Sequence, residues 1–369
     1  MKKIGIIMEV NPFHNGHKYF IDTIKKMYKD SCLIAITSTS FNMRGQIAVI
    51  NKFDKIEYLL KSGVNLVLEL PIGLYLQSGD FFSENAVNIL QAFNIDEIIC
   101  GSETDDESLF PYFYNLINSD KFKKIIKEQI SNHSSYKKSF TKAFESLNIN
   151  QELIDIFNEP NFTLAFQYYK TIQNKNLPIA FKIIKRNNID NSSASELRKA
   201  IENNLNINNE LPFNEQIINI KDAENKLFNI LKYRFSLVIE NDSLDIEVLN
   251  YLKNNDLVID STKNFTISRL RRAYLAYIIE MKKYYHNVDY YRILGIDDIG
   301  KYIIKNLDKE TKKLIFSSPL DKIDDEIKNQ LELELRSTKL FEILTGNNMM
   351  EKEYKLPIIK ENLIWIMKK

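Results

Sequence analysis

The chain contains few of the residues on which small or metal-stabilised proteins depend. Among 369 residues there are 2 cysteines, 4 histidines, 10 glycines and 8 prolines. So few cysteines and histidines argue against a disulfide framework and against a zinc cluster. Cys32 and Cys100 both lie in apolar runs, so we expect reduced core thiols in a cytosolic protein without a signal peptide. No apolar run reaches the ~18 residues that span a bilayer, so we expect no membrane segment.

Charge of neither sign dominates the sequence. Lys and Arg number 50 and Asp and Glu number 49, which gives a net charge of +1. This balance neither requires nor excludes a nucleic-acid partner, so the distribution of charge along the chain has to decide. Apolar residues make up 44% and charged residues 27%, which is typical of a globular protein, and the length suits two domains.

The first part of the chain alternates between apolar, β-rich runs and segments with helical spacing. This order predicts an α/β fold with a parallel sheet, helices on both faces and right-handed crossovers. The expected strands are residues 3–10, 32–37, 65–70, 95–100 and 179–185, and the expected helices are 16–29, 51–61, 81–92, 162–173 and 194–201.

Two other regions depart from this pattern. Residues 104–159 are helical and polar, with basic stretches at 121–127 and 136–142, and we interpret them as an insertion. An Asn-rich linker at 202–210 precedes a mainly helical remainder, whose clearest helix, 268–283, begins with clustered arginines. The predicted domains are therefore 1–205, which contains the insertion, and 206–369.

The most informative segment is N-P-F-H-N-G-H at residues 11–17, between the first strand and the first helix. Open parallel sheets bind ligands at the carboxyl ends of their strands, and a helix N-terminus favours phosphate. His14 and His17 can face the same side of the first helical turn, and Gly16 lets backbone approach a nucleotide. Two imidazoles there can stabilise charge that develops at a phosphorus under attack. A helix-capping loop with incidental histidines is the alternative.

This segment carries a family resemblance. A strand followed by H-x-G-H resembles the nucleotidyltransferase superfamily, which shares its α/β fold with class I aminoacyl-tRNA synthetases. The longer string G-I-I-M-E-V-N-P-F-H-N-G-H-K-Y-F, residues 5–20, resembles the start of the bacterial tRNA(Met) cytidine acetate ligases. Further segments agree in the same order along the chain: residues 41–52, 63–71, 101–103, 160–161, 193–198, 265–272 and 291–295.

The sequence also departs from the family pattern, and the histidines and glycines at the phosphate end are not among the substituted positions. The departures are Val10 for Tyr, Met43 for Gln, Gln46-Ile47 for Glu-Pro, Lys55 for Arg, Phe162 for Asn and Ala165 for Gly. The departures therefore concern catalytic rate and acyl-donor preference more than ATP binding.

The resemblance implies a fold and a set of site residues. The fold is a Rossmann-like nucleotidyltransferase domain with a helical insertion, followed by a mainly helical C-terminal domain. His14 and His17 would be catalytic. The nucleotide contacts would be Ile7, Met8, Glu9, Asn11, Pro12, Phe13, Asn15, Gly16, Gly101, Asn161, Arg186, Ser193, Ser195 and Arg198, and the candidate acyl or tRNA contacts are Arg44, Lys52, Lys123, Lys124, Arg269, Arg271 and Arg272.

Several of these residues have a second interpretation. Glu9 could orient a histidine or be a structural carboxylate, and Asn161 could cap its helix as well as bind the nucleotide. The segment 193–198 could bind the triphosphate or only cap a helix. Arg44 and Lys52 could hold pyrophosphate or an acyl carboxylate, or lie in a solvated loop. The arginines of helix 268–283 could contact RNA phosphates or pair with acidic residues of the second domain.

The implied reaction is the attack of acetate on the α-phosphate of ATP, followed by transfer of the acetyl group to the wobble cytidine of elongator tRNA(Met). The product is N4-acetylcytidine. We expect Mg²⁺ held mainly by phosphates, a cytoplasmic protein, and no obligate protein partner. One alternative is an adenylyltransferase for a small phosphorylated cofactor precursor. Another is a non-catalytic RNA-binding member of the fold.

Overall fold

The computed structural model describes residues 1–131, 136–186, 193–203, 205–213, 216–237, 243–257, 259–260, 262, 265–316 and 325–360. Residues 132–135 of the expected insertion and Asn204 of the expected linker lie outside this set. The strands are β1 (Lys2–Ile7), β2 (Ser31–Thr37), β3 (Leu66–Glu69), β4 (Glu97–Ser102), β5 (Ala180–Lys185), β6 (Tyr291–Ile296), β7 (Ile315–Phe316) and β8 (Ile358–Ile359).

Helices connect and cover these strands. In the first half they are α1 (Asn15–Met27), α2 (Lys52–Ser62), α3 (Ile72–Tyr75), α4 (Gly79–Ala92), α5 (Leu109–Asn118), α6 (Asp120–Ser131), α7 (Tyr136–Ser146), α8 (Gln151–Asn158), α9 (Pro160–Asn174) and α10 (Ala194–Glu202). In the second half they are α11 (Ile220–Ser236), α12 (Ile246–Asn254), α13 (Ile267–Ile278), α14 (Asp298–Lys305), α15 (Lys309–Lys313), α16 (Asp325–Thr345) and α17 (Met350–Glu353), with a short 3₁₀ turn at Asn208–Glu210.

The expected parallel sheet is confirmed. Its parallel part has the order β5-β4-β1-β2-β3, with each neighbouring pair parallel. β2 and β3 are almost wholly buried, as their continuous apolar sequence requires. The winding direction reverses between β1 and β4, so the ligand crevice of this fold lies at the carboxyl ends of these two strands.

The second half of the chain also contributes to this sheet. β6 pairs with β3 in antiparallel orientation, and β7 and β8 pair with β6. The remainder of the second half is mainly helical, as expected. The sequence analysis identified residues 291–295 as a family motif but did not predict a strand there. The guanidinium of Arg292 on β6 is buried between the carboxylates of Glu69 and Glu353, at 3.1 and 3.0 Å. Buried ion pairs thus connect the two halves of the chain. The domain boundary near residue 205 remains a prediction.

The insertion packs on α9 and joins the hydrophobic core of the sheet. Helices α5 to α9 bring together a cluster of phenylalanines, in which the ring of Phe113 lies 4.8 Å from that of Phe157 and 5.6 Å from that of Phe144. Cys32 and Cys100 are free and buried, as expected for core thiols, and burial raises the pKa of both. Among the described helices, none combines the length and hydrophobicity needed to cross a bilayer.

Candidate active site

The loop after β1 forms the floor of the crevice. The strand ends at Ile7, three residues before the expected position, and Val10 in the loop that follows adopts a left-handed φ of +50°. A β-branched residue rarely adopts this conformation, which persists only where the surroundings fix it. Here Val10 is 1% exposed, and the side-chain oxygen of the next residue, Asn11, accepts a hydrogen bond of 2.7 Å from the amide of Val49.

The two histidines cap helix α1 reciprocally. His14 is the N-cap, and its Nδ1 accepts a hydrogen bond from the amide of Gly16 at 3.1 Å. The Nδ1 of His17 accepts one from the amide of His14 at 3.3 Å, and the two ring centroids are 3.9 Å apart. Because Nδ1 is an acceptor in both rings, a neutral ring carries its proton on Nε2. Both imidazoles therefore have one N–H to donate to a ligand.

Both histidines are held in the neutral form. The pKa of His14 is lowered to about 4, mainly by burial and further by the nearby charges of Arg186 and Arg198. The pKa of His17 is held well below its ordinary range, mainly by burial and further by electrostatic repulsion from His14 and Arg186. The Gly16 amide, at the helix N-terminus that we expected to favour phosphate, already donates to His14. The imidazole N–H groups are therefore the side-chain donors that the two histidines add to this turn.

The second predicted motif closes the crevice from the side of α10. Ser193 is the N-cap of this helix and forms a capping box with Glu196. The guanidinium of Arg198 donates to the carbonyl of Asn11 at 2.7 Å and to the hydroxyl of Ser195 at 3.1 Å. Arg198 thus joins the two motifs directly, and the capping role predicted for residues 193–198 is present.

Arg186, Gly101 and Asn161 meet at the end of β4 and β5. The amide of Arg186 donates to the carbonyl of Ser102 at 2.9 Å, which sets the arginine at the sheet edge. The carboxylate of Glu103 caps α9 by accepting from the amide and the side chain of Asn161, at 3.2 and 2.6 Å. The cap is therefore Glu103 and not Asn161. A Cβ at Gly101 would lie an ordinary 3.7 Å from Arg186, so the surrounding protein does not itself require a glycine there.

Glu9 does not orient a histidine, contrary to one of the two expectations. Its carboxylate accepts from the amide of Met43 at 2.6 Å and from the hydroxyl of Ser38 at 3.3 Å. Burial raises the pKa of Glu9, and the charges of Lys55, Arg44 and Arg198 oppose that rise. The side chain therefore fixes the loop at residues 41–47, which carries Arg44 at the edge of the crevice.

Lys55 is a residue of the site that the sequence analysis treated only as a departure from the family pattern. It is fully buried, and its ammonium donates to the carbonyls of Thr39 at 2.8 Å, Glu9 at 3.3 Å and Ser38 at 3.4 Å. It thereby ties the ends of β1 and β2 together. Burial lowers its pKa. Lys55 lies one helical turn into α2, and nothing in the local sequence indicates that its side chain reaches the ends of these strands.

The remaining nucleotide candidates lie on the same loop. Ile7 ends β1, and Met8 follows it, with its amide donating to the carbonyl of Ile36 at 2.9 Å. Pro12 and Phe13 are buried beneath the histidines, and the Phe13 ring lies 5.5 Å from that of His17. Asn15 donates through its side chain to the carbonyl of Asn209, at 2.9 Å.

The candidate acyl and tRNA contacts do not come together. Lys52 is 2% exposed and pairs with Glu353, so we withdraw it as a substrate contact. Lys123 and Lys124 are exposed on α6. On α13, Arg269 pairs with Asp245 at 2.7 Å and Arg271 approaches Glu224 at 3.8 Å. Arg272 makes no hydrogen bond or ion pair with any residue that the structure describes.

The composition of the crevice suits a polyanion and not a metal held by protein alone. In the described part of the chain, no group of three or more His, Cys, Asp or Glu side chains has metal-binding geometry. Two imidazole N–H groups and the cations of Arg186, Arg198 and Arg44 surround the loop. The side-chain nitrogen of Asn11 is a buried donor without a hydrogen-bond partner among the described residues, so it can serve a ligand. These donors fit the phosphates of a nucleotide.

A parallel sheet with this strand order and an H-x-G-H turn at its switch point defines a nucleotide-binding α/β protein. A family model described as HIGH Nucleotidyl Transferase matches residues 1–355, and the chain belongs to this family.

Named relatives agree along most of the chain. The chain is 28% identical to the tRNA(Met) cytidine acetate ligase of Thermosipho melanesiensis, over 86% of this chain and 85% of that one. It is also 28% identical to the enzyme of the same name from Oceanobacillus iheyensis, over 96% and 98% of the two chains. These matches confirm the resemblance drawn from the sequence.

A solved structure shows the same fold. The crystal structure of Thermotoga maritima TmcAL bound with alpha-thio ATP superposes with a TM-score of 0.80, at 22% identity, over 97% of this chain and 99% of that one. The α/β nucleotidyltransferase fold expected from the sequence is thereby confirmed.

Proposed function

We propose that this chain is an ATP-dependent acetate ligase that acetylates the wobble cytidine of elongator tRNA(Met) through acetyl-adenylate. The observation that carries the proposal is the reciprocal histidine cap, which aims two neutral imidazole donors from the switch point of a nucleotidyltransferase sheet. The assignment of tRNA(Met) as the substrate is supported by the similarity, along nearly the whole chain, to relatives named for that reaction.

In the first step, a carboxylate oxygen of acetate attacks the α-phosphorus of ATP. A new P–O bond forms, the bond to the bridging oxygen breaks, and pyrophosphate leaves with the bonding electrons. The protein needs no covalent residue for this step, because positioning and charge stabilisation supply the acceleration. His14 and His17 donate from Nε2 to phosphate oxygens, and Arg186 and Arg198 balance the charge. Mg²⁺ held mainly by phosphates would assist pyrophosphate departure.

In the second step, the exocyclic amine of cytidine attacks the acetyl carbonyl. The new C–N bond replaces the C–O bond to AMP, and the amine loses one proton. The base must be unstacked to reach the adenylate, as bases in an anticodon loop can be. Because the substrates are a tRNA and cytosolic metabolites, we place the protein in the cytoplasm, without a membrane or obligate protein partner.

Two assays test the proposal against its alternatives. The account predicts acetate-dependent exchange of pyrophosphate into ATP without RNA, and N4-acetylcytidine in elongator tRNA(Met) when RNA is added. An adenylyltransferase for a small cofactor precursor would exchange pyrophosphate into ATP only when that precursor is present, and acetate would not support the exchange. A non-catalytic RNA-binding protein would bind the tRNA and give no exchange at all. Either result would overturn the proposed function.

A further inference from the structure

A second cleft lies beside the crevice and is not part of the nucleotide site described above. It has a volume of about 490 Å³. Its wall combines α13, the start of α12, the turn between α3 and α4, and the ring of Tyr284. Its polar and aromatic lining consists of Gln77, Ser78, Asp245, Arg269, Arg272 and Tyr284.

The cleft carries an unpaired positive charge. Arg269 is held by Asp245 through two hydrogen bonds of 2.7 and 3.1 Å and lies 3.8 Å from the carboxylate of Glu247, so its charge is already balanced. Arg272 has no such partner within the described residues, although burial lowers its pKa and Asp245 and Tyr284 act on it only at longer range. A half-buried guanidinium without a partner is costly unless a ligand supplies an anion.

The cleft is next to the adenylate crevice. The turn at Gly45 packs directly on α13, because a Cβ there would lie 2.8 Å from the backbone carbon of Arg271 and 2.9 Å from the amide of Arg272. The same loop is fixed by Glu9 through the Met43 amide. The 41–47 loop therefore contacts α13 on one side and Glu9, just after the end of β1, on the other.

We propose that this cleft holds one unstacked nucleotide of the RNA substrate, with its phosphate on Arg272 and its base on the ring of Tyr284. An aromatic face and an unpaired guanidinium are the groups with which proteins hold single-stranded RNA. The proposal rests on the proposed function, in which an anticodon loop is the substrate. In this proposal the cleft holds a nucleotide next to the acetylated cytidine, and the acetylated cytidine itself occupies the adenylate crevice.

Binding of two RNAs tests the proposal: the anticodon stem-loop of elongator tRNA(Met), and an RNA duplex of equal length. Tyr284→Ala should weaken stem-loop binding about 5- to 100-fold, the effect of losing one base stack, and leave duplex binding unchanged. Tyr284→Phe should bind like the wild type, because the ring is kept. Arg272→Gln should weaken binding and reduce the slope of log affinity against log salt by about 0.7, as for one phosphate contact of a single strand.

Control variants remove a comparable ring or charge elsewhere. Tyr302→Ala removes a 61% exposed ring on α14, and Lys313→Ala removes a surface charge on α15. Both should leave stem-loop affinity unchanged, and melting temperatures identify any variant that fails to fold. Folded Tyr284→Ala and Arg272→Gln proteins that bind the stem-loop as tightly as these controls would overturn the proposal. So would equal losses for stem-loop and duplex with Tyr284→Ala.

Failure of the cleft proposal can be distinguished from failure of the proposed function. If the wild type shows acetate-dependent exchange of pyrophosphate into ATP and acetylates tRNA while these variants bind normally, only the cleft assignment is wrong. If the wild type binds the stem-loop through the cleft but shows no exchange, the proposed function is wrong and the cleft remains an RNA site.

Discussion

Replacing His17 with asparagine separates the two roles of this side chain. The imidazole accepts a hydrogen bond at Nδ1 from the amide of His14 and has a second N–H, at Nε2, to donate. The side-chain oxygen of asparagine takes the place of Nδ1 and keeps the cap, but nothing replaces Nε2. His17→Asn should therefore fold normally and lose the donor. His17→Ala loses both, and the missing cap alone costs about 1 kcal/mol of stability.

The size of the catalytic effect follows from the role of the donor. Loss of one preorganised hydrogen bond to a developing charge lowers a rate by about 10²–10³, which corresponds to about 2.7–4 kcal/mol. We expect this loss in acetate-dependent ATP–pyrophosphate exchange for His17→Asn, with a melting temperature close to that of the wild type. His286→Asn is the matched control, because His286 is exposed and lies away from the histidine turn, with its ring 5.3 Å from that of Phe81.

Near-normal exchange in His17→Asn would refute the reasoning, since no Nε2 donor would then be needed. Equal loss of stability in His17→Asn and His17→Ala would also contradict it, because the asparagine would then not be acting as a cap.

Three further outcomes follow from the same structure. The free energy of unfolding should fall as pH falls from 6.5 to 4, by up to about 1.4 kcal/mol per pH unit from His14, because the imidazole binds a proton in the unfolded chain but not in the folded one; His14→Asn should reduce this slope in urea titrations and leave the contribution of His17, and an unchanged slope would contradict it. Arg292→Met should lower the free energy of unfolding by about 3–5 kcal/mol, because Glu69 loses its buried partner; a loss no larger than that in the surface variant Lys313→Ala would be evidence against it. Arg186→Ala should weaken ATP binding about 10- to 100-fold in calorimetry, the worth of a charged hydrogen bond; unchanged affinity, as expected for the control Lys185→Ala, would remove Arg186 from the site.

The sequence was sufficient to predict the parallel sheet, because each strand there is a short apolar run followed by a helix of regular spacing. It also located the histidine turn between the first strand and the first helix, although the strand ends three residues earlier than its apolar run predicts. It did not predict β6, because one short run at 291–296 adds to the sheet only through pairing with β3, a contact between residues far apart in sequence.

The errors at individual site residues have the same physical origin. Lys52 and Lys55 lie in one helix turn and look alike in sequence, yet one pairs with Glu353 and the other with carbonyls at the strand ends. Glu103 caps α9 from 58 residues away, so the local sequence pointed to Asn161. Which partner a buried charge finds is decided by tertiary packing, which spacing along the chain does not encode.

The most direct test of the account is mass spectrometry of nucleosides from elongator tRNA(Met) after incubation with this protein, ATP and isotopically labelled acetate. The account predicts N4-acetylcytidine at the wobble position, with the label in its acetyl group, and none when either ATP or the protein is omitted. Unmodified cytidine at that position, in a reaction where the protein is folded and binds the tRNA, would contradict the central claim.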